Sequence, residues 1–248
     1  MTNIKTKEEI EIVSEGGKIL AGALKELEKL AKPGITTLEL DKAAEAFILS
    51  AGAKPGFKNY EGFPFSLCAS VNENIVHGYP SDYVLKVGDV LKLDLGVLYK
   101  GFNTDSAITV AIGNVSFEAK RLINVTKKSL RLGIKKAKIG NTVGDIGNTV
   151  QRFVEDQGFG VVRDLCGHGI GKNLHEDPKI PNFGKRGGGE KLVEGMVICI
   201  EPMVTMGNYE IKPSKDGYGW ATKDGSLSAH FEHTIAITKN GPRVLTEL

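Results

Sequence analysis

The sequence predicts an α+β fold: two pseudo-twofold-related halves sharing one curved antiparallel sheet, with helices on the outer face. Three observations lead there. A capped short helix occurs twice at a constant offset, a carboxylate-bearing strand occurs twice at nearly the same offset, and no low-complexity linker separates the copies.

The first helix opens at Thr6 and Glu9, a threonine and an acid three residues apart, and runs towards Lys32, where Pro33 and Gly34 end it. A second, shorter helix follows the same signal at Thr36 and Glu39 and covers the apolar-periodic residues 40–49 before Gly52. In the second half, the long helical pattern spans residues 117–138 and stops at Gly140. A short one then follows Thr142 and Asp145, covering residues 146–154 before Gly158. The cap offset is 142 − 36 = 106, and the glycine-stop offset is 158 − 52 = 106.

Strands repeat too. Residues 88–94 resemble residues 195–201 at an offset of 201 − 94 = 107; each run opens on a glycine and is expected to end on its carboxylate, Asp94 or Glu201. Residues 105–110 resemble 232–237, offset 232 − 105 = 127, so the second half carries an insertion between its two strands. The expected organisation is one catalytic domain over residues 1–248, with internal halves of roughly 1–110 and 111–248.

Composition narrows the function classes. A net charge of +2 gives no concentrated basic character of the kind that marks nucleic-acid binding. Apolar runs are short and interrupted by charge, which excludes a spanning helix, and the first fifteen residues lack the apolar run of a leader. Three cysteines, Cys68, Cys166 and Cys199, form no CxxC pair and argue against a disulfide framework. The expected setting is the reduced cytoplasm.

A strand that ends on a lone acid is ordinarily a turn or cap. Four acids in matching positions are different: fusing two similar halves brings Asp94, Asp105, Glu201 and Glu232 towards one axis, where unpaired carboxylates are costly. Divalent cations resolve that cost. The five histidines stand in distinctive contexts: His77 before Gly78, His168 between glycines, His175 before Glu176, and His230 and His233 flanking Glu232. The glycine run 167–171 lacks the spacing of a phosphate cradle, and Gly187 to Gly189 read as a loop.

Taken in order, these segments resemble the type I methionine aminopeptidases, whose fold is called pita-bread. The matching segments are Ser70-Val71-Asn72-Glu73 with His77-Gly78, Lys92-Leu93-Asp94, and Thr104-Asp105. They continue with Gly167-His168-Gly169-Ile170-Gly171 with His175-Glu176, then Glu201-Pro202, and Ser228-Ala229 with Glu232-His233-Thr234. The resemblance covers nearly the whole chain. It implies a metalloaminopeptidase that removes the initiator methionine from nascent proteins, prefers a small second residue, and attacks with a metal-bridging hydroxide.

The resemblance implies five metal ligands: Asp94, Asp105, His168, Glu201 and Glu232. In the family, the residues matching Asp105 and Glu232 bridge two cations, the one matching Asp94 completes one, and those matching His168 and Glu201 complete the other. It further implies Glu201 as proton shuttle, His175 as donor to the carbonyl oxygen, and His77 as a contact to the leaving peptide nitrogen. The cofactor is two divalent ions; the oxygen-rich ligand set admits Fe, Mn, Co or Zn and leans to iron or manganese. The methionine pocket would be lined by Phe57, Tyr60, Phe63, Cys68, Leu174 and Tyr218. Relatives often carry a small residue at the position of Phe57 and aromatics at those of Leu174 and Tyr218. Trp220 either replaces that ring or belongs to the core. His230 stands where relatives commonly have Gln, and reads as a group behind the ligands.

The implied partners are N-terminal segments of nascent polypeptides, with the ribosome an open addition. No membrane and no specific nucleic acid is expected, and the chain is expected to be a monomer. The same fold hosts proline-directed peptidases, creatinase and metal-free binding proteins, so the site and not the fold must decide. Proline-directed relatives usually carry a large domain ahead of the first motif, type II enzymes carry a helical insertion, and binding homologues typically lose ligands.

Overall fold

The computed structural model describes residues 2–248. Helices start where the sequence places their caps. In α1 (Lys7–Leu30), the Thr6 hydroxyl accepts from the Glu9 N–H at 3.2 Å, and the Glu9 carboxylate accepts from the Thr6 N–H at 2.9 Å. Thr36 and Glu39 open α2 (Thr37–Ser50) with the same reciprocal box. Ser116 alone caps α3 (Phe117–Ile134), and Thr142 with Asp145 boxes α4 (Val143–Asp156). Each such cap contributes about 1 kcal/mol.

The third helix is shorter than its apolar pattern suggests, stopping at Ile134 and not at Lys138. Lys136 N–H turns back to the Gly133 carbonyl, the Asn141 side chain donates to the Lys136 carbonyl, and Gly140 N–H bonds to the Leu192 carbonyl. The chain bends there to meet the segment ahead of the second-half strands.

The first half holds β1 (Lys54–Pro55), β2 (Leu67–Val71), β3 (Asn74–Val76), β4 (Val90–Tyr99) and β5 (Phe102–Ala111). The last two form a long antiparallel hairpin through Lys100 and Gly101, whose φ values of 48° and 83° suit a tight two-residue turn. This corrects one expectation. Asp94 does not end its strand but lies inside β4, and Asp105 lies inside β5, because the chain stays extended until the Lys100–Gly101 turn stops it.

The second half holds β6 (Gly160–Val161), β7 (Gly167–Gly169), β8 (Glu176–Ile180) and β9 (Val197–Ile200). The expected insertion supplies β10 (Met203–Thr205), β11 (Ile211–Pro213), β12 (Trp220–Thr222) and β13 (Ser228–His230), ahead of β14 (His233–Thr238) and β15 (Gly241–Val244). Among the described residues, hydrogen bonding divides the layer into four sheets, the two largest being β1-β4-β2 with β5 on β4, and β15-β14-β9-β7-β8. They meet where β5 lies beside β14: Asp105 N–H donates to Thr234 Oγ1, Ser106 Oγ to the Glu232 carbonyl, and Glu232 N–H to the Ala107 carbonyl. The inserted β12 also pairs with β3, a second tie between halves.

Helices cover the outer face. α1 and α2 pack on β2, β4 and β5 through a core that includes Leu20, Leu24, Leu40, Ile48, Leu91, Leu93 and Leu95. α3 and α4 cover the other half over Leu130, Ile146, Ile198, Ile200 and Ile235. Gly147 on α4 lets the loop after β8 approach, since a Cβ there would collide with the Pro181 and Phe183 carbonyls. Among the described residues, no helix is long and apolar enough to cross a membrane.

Candidate active site

Strand register gathers the four carboxylates. Asp105 faces Gly96 across the β4–β5 hairpin, which makes Asp94, two residues from Gly96, its diagonal neighbour on the same face. In the other half Ile200 pairs with His233, so Glu201, just past β9, and Glu232, just before β14, leave the ladder side by side. Carboxylate oxygens of Asp94, Asp105 and Glu232 lie within 4.8 Å of one another. His168, on β7, brings Nε2 to 3.7 Å from Glu201 Oε1 and 3.9 Å from Asp105 Oδ2.

These acids are buried. Asp94, Asp105 and Glu232 are 7%, 4% and 2% exposed, and one oxygen of each has no hydrogen-bond partner. Burial pushes all four carboxyls up, and mutual repulsion adds to it for Asp105, Glu201 and Glu232, which lie well above the usual range. Burial likewise holds the His168 imidazole down to about 4, so it is neutral, and its Nδ1 lies 2.9 Å from the Gly169 carbonyl. With the proton on Nδ1, the Nε2 lone pair faces the acids. A cluster of oxygen ligands with orphaned lone pairs and one neutral imidazole fits divalent cations.

Cys199 comes close enough to His168 and Glu232 to complete a further set of ligand atoms. Its thiol is fully buried, pushed well up by burial and the neighbouring acids, and hydrogen-bonded with Thr234 Oγ1. A protonated thiol of this kind is a poor ligand.

A cavity of about 300 Å³ opens onto the cluster. Its polar end carries Asp94, Asp105, His168, Glu201 and Glu232, with His77 and His175 on the walls; its apolar end carries Phe57, Tyr60, Phe63, Cys68, Leu174 and Tyr218. The structure therefore brings together every residue the sequence nominated, and adds Glu61 at the rim. Phe63 packs against Tyr79 and Tyr218 with ring centroids 5.4 Å away in each case, and Tyr218 stacks on Tyr79 at 5.0 Å. Phe57 lies on Gly96, where a Cβ would come within 2.6 Å of its ring. Trp220 belongs to the core, packed with Ile75, Val76, Val162 and Met203 outside the cavity. His230 is fully buried, with Nε2 3.7 Å from Glu201 Oε2, behind the acids and not in the cavity lining.

A second cleft of about 640 Å³ shares His77, His168, His175 and Glu201 with the first and leads to the surface past Cys166, Asp164 and Lys179. His77 sits at φ 59°, a left-handed conformation that a non-glycine residue holds at some cost and that is common where a side chain must be aimed. Sequence reasoning missed Lys5, whose ammonium reaches Glu176 beside His175, and the Tyr60 hydroxyl, 3.1 Å from His175 Nδ1. Neither contact has a local signal, because the partners lie 171 and 115 residues apart.

The model of metallopeptidase family M24 matches residues 11–239. The chain belongs to metallopeptidase family M24. It is 51% identical to the methionine aminopeptidase of Clostridium perfringens, with 99% of each chain covered. It is 47% identical to methionine aminopeptidase 1 of Bacillus subtilis, with 98% of each covered. The crystal structure of methionine aminopeptidase from Thermotoga maritima superposes with a TM-score of 0.98 at 42% identity over 100% of both chains. The prolidase of Pyrococcus horikoshii superposes less closely, with a TM-score of 0.80 at 25% identity over 98% of this chain and 63% of that one. Within M24, a family of divalent-metal hydrolases with the pita-bread fold, this member thus groups with the methionine aminopeptidases.

Proposed function

We propose that the protein removes N-terminal methionine from polypeptides with two divalent cations held by Asp94, Asp105, His168, Glu201 and Glu232. The observation that carries this reading is one cavity with two chemistries: four buried carboxylates and a neutral histidine at one end, an aromatic slot at the other. The reading takes residues 1–248 as one catalytic domain, since both halves supply the cavity. It also places the chain in a reducing, cytoplasmic setting, supported by three free cysteines.

Asp94, Asp105 and Glu232 would hold one cation and His168 with Glu201 its neighbour, with Asp105 and Glu232 within reach of both sets. Divalent cations held there would supply Lewis acidity to a water and to the scissile carbonyl. The remaining roles belong to the chain itself. Glu201 accepts a proton and passes it to the leaving amine. The Tyr60 hydroxyl lies 3.1 Å from His175 Nδ1; in the tautomer where it donates to that nitrogen, the Nε2–H is free to donate to the carbonyl oxygen as charge builds there. His77 lines both cavities and meets the leaving peptide nitrogen.

The methionine side chain enters the apolar end, where a flexible thioether packs well against aromatic edges. The free amino group stays beside Asp94, which makes the reaction exopeptidic. The second residue must pass between His77 and His175 into the outer cleft, which favours a small side chain. Metal-reconstituted protein should release methionine from Met-Ala-Ser, act poorly on Met-Leu-Ser and leave Ala-Pro intact. Cleavage of Ala-Pro in preference to Met-Ala-Ser would instead place the protein with the proline-directed members.

A further inference from the structure

Lys5 lies ahead of the first helix, yet its side chain is buried against the loop that carries His175. Its ammonium donates to Glu176 Oε2 at 2.6 Å, and the two side chains are 4% and 3% exposed. Glu176 Oε1 accepts from the Asn173 N–H at 3.1 Å, closing the loop on itself. The ammonium also donates to the Asn3 carbonyl, and Lys5 N–H bonds to the Gly195 carbonyl at 2.9 Å. The pair crosses over Gly171, where a Cβ would come within 2.5 Å of Lys5 Cε and 3.0 Å of Glu176 Oε1. The glycine-rich segment after His168 thus leaves room for this contact.

Fastening the N-terminus alone does not require Lys5. Arg243 already holds the first helix through Glu11 and Ser14, and the Gly195 bond holds the preceding backbone. The loop is the part that needs an anchor. Its entry is tied by Asn103, whose amide donates to the Gly171 and Lys172 carbonyls at 3.2 and 3.1 Å. Its exit, next to His175, is tied through Glu176.

We propose that Lys5 is a positioning residue for catalysis: its buried ion pair with Glu176 holds the 171–176 loop, and so fixes where the His175 imidazole stands. This rests on the reading of His175 as donor to the substrate carbonyl. Lys5 touches neither substrate nor metal ligands. Removing its charge strands a buried carboxylate, and the loop opens to hydrate Glu176, carrying His175 away from the cavity.

The test is a double-mutant cycle on the full-length, metal-loaded enzyme, with Lys5→Met placed in wild type and in His175→Ala. In wild type, kcat on Met-Ala-Ser should fall about ten- to hundredfold, KM should move far less, and metal content should hold. In the His175→Ala background the same substitution should change kcat by less than about twofold. An equal loss in both backgrounds, or an unchanged kcat in Lys5→Met, overturns the proposal. Full turnover by His175→Ala alone would refute the role given to His175, on an arm that does not involve Lys5. If Lys5→Met does not fold, Glu176→Gln takes its place in the same cycle. It removes the charge while keeping the acceptor for Asn173, and the same two comparisons decide.

Discussion

Asp105 and Thr234 exchange hydrogen bonds across the join between the halves: Asp105 N–H donates to Thr234 Oγ1 at 2.9 Å, and Thr234 Oγ1 donates to the Asp105 carbonyl at 2.7 Å. One hydroxyl thus stands in for a rung of sheet and sets the register that puts Asp105 beside Glu232. Thr234→Val keeps the shape and removes both bonds, leaving a buried N–H unpaired at a cost of about 1–3 kcal/mol. Thermal unfolding should register that loss. Titration with Mn²⁺ should show weaker binding by about ten- to hundredfold, as for other groups that orient ligands. Unchanged metal affinity in a destabilised variant would confine Thr234 to a structural role.

Metal uptake should expel protons. In the metal-free protein, burial and mutual repulsion raise the carboxyls of Asp105, Glu201 and Glu232 well above their ordinary range, so the cluster holds protons more tightly than free acids do and cations compete with them. Calorimetric titration in buffers of differing ionisation enthalpy should therefore report net proton release and an affinity that rises with pH. The sign for stability follows from the same shifts. A raised carboxyl stabilises the fold below its unfolded pKa and loses that contribution as pH rises through its folded pKa. Lys92, held down to about 7 by burial, acts oppositely between 7 and 10.5, but equally with or without metal. As pH rises above the ordinary carboxylate range, the gap in Tm between metal-loaded and chelator-treated protein should widen. A gap that does not change with pH would mean the acids are already ionised without metal. Asp105→Ala or Glu232→Ala should lose both cations together.

Ligands and auxiliary groups should separate on His175. His175→Ala should retain its metals and lose about 2.7–4 kcal/mol of transition-state stabilisation, the range for removing one donor to a developing oxyanion. Tyr60→Phe tests the tautomer more gently. It keeps the ring against the imidazole, 5.3 Å between centroids, and removes the hydroxyl that fixes Nδ1 as acceptor. Nitrogen chemical shifts of His175 should report the Nε2–H form in wild type and a mixture in Tyr60→Phe, with lower kcat and little change in KM. A wild-type spectrum showing Nδ1–H would reverse the roles given to the two nitrogens.

What the sequence disclosed tracks how local each cause is. Thr36 with Glu39, and Thr142 with Asp145, are three-residue signals, and both boxes form where they were read. Asp94 and Asp105 could be nominated because the repeat puts them in register with Glu201 and Glu232. Their mid-strand placement depends on the Lys100–Gly101 turn, which lies between the two acids and outside the repeated strand pattern. The end of α3 at Ile134 depends on Leu192, far along the chain, so periodicity overran it. Trp220 looked eligible for the pocket by proximity to Tyr218. Tyr218 lies in the turn ahead of β12, its N–H held by Asp216, and stacks on Tyr79, whereas Trp220 opens β12 opposite Val76 and packs its indole with Ile75 and Met203. The Lys5–Glu176 pair has no pattern to read, since a lysine ahead of a capping box is ordinarily solvated.

The pocket supplies the last prediction. Phe57 is 8% exposed, and its ring fills the space that Gly96 leaves on β4, two residues from Asp94 and on the same face of the strand. It thereby walls the slot between the strand and Leu174, with Phe63 and Tyr218 opposite and Cys68 in the lining. A slot of this kind accepts an unbranched apolar chain and rejects an ammonium, which would lose its hydration against aromatic surface. Among apolar side chains discrimination should be weaker, because one methylene is worth only about 1–3 kcal/mol. Phe57→Ala should open a void over Gly96 and admit Leu and other bulkier first residues, at a stability cost of about 3–5 kcal/mol for a buried aromatic. The metals should stay, since Phe57 contributes no ligand atom. The measurement is kcat/KM for Met-, norleucine-, Leu- and Lys-initiated peptides on both proteins. Equal wild-type rates on Met and Lys substrates would refute the apolar slot. An unchanged order of preference in Phe57→Ala would show that the ring shapes the strand and not the specificity.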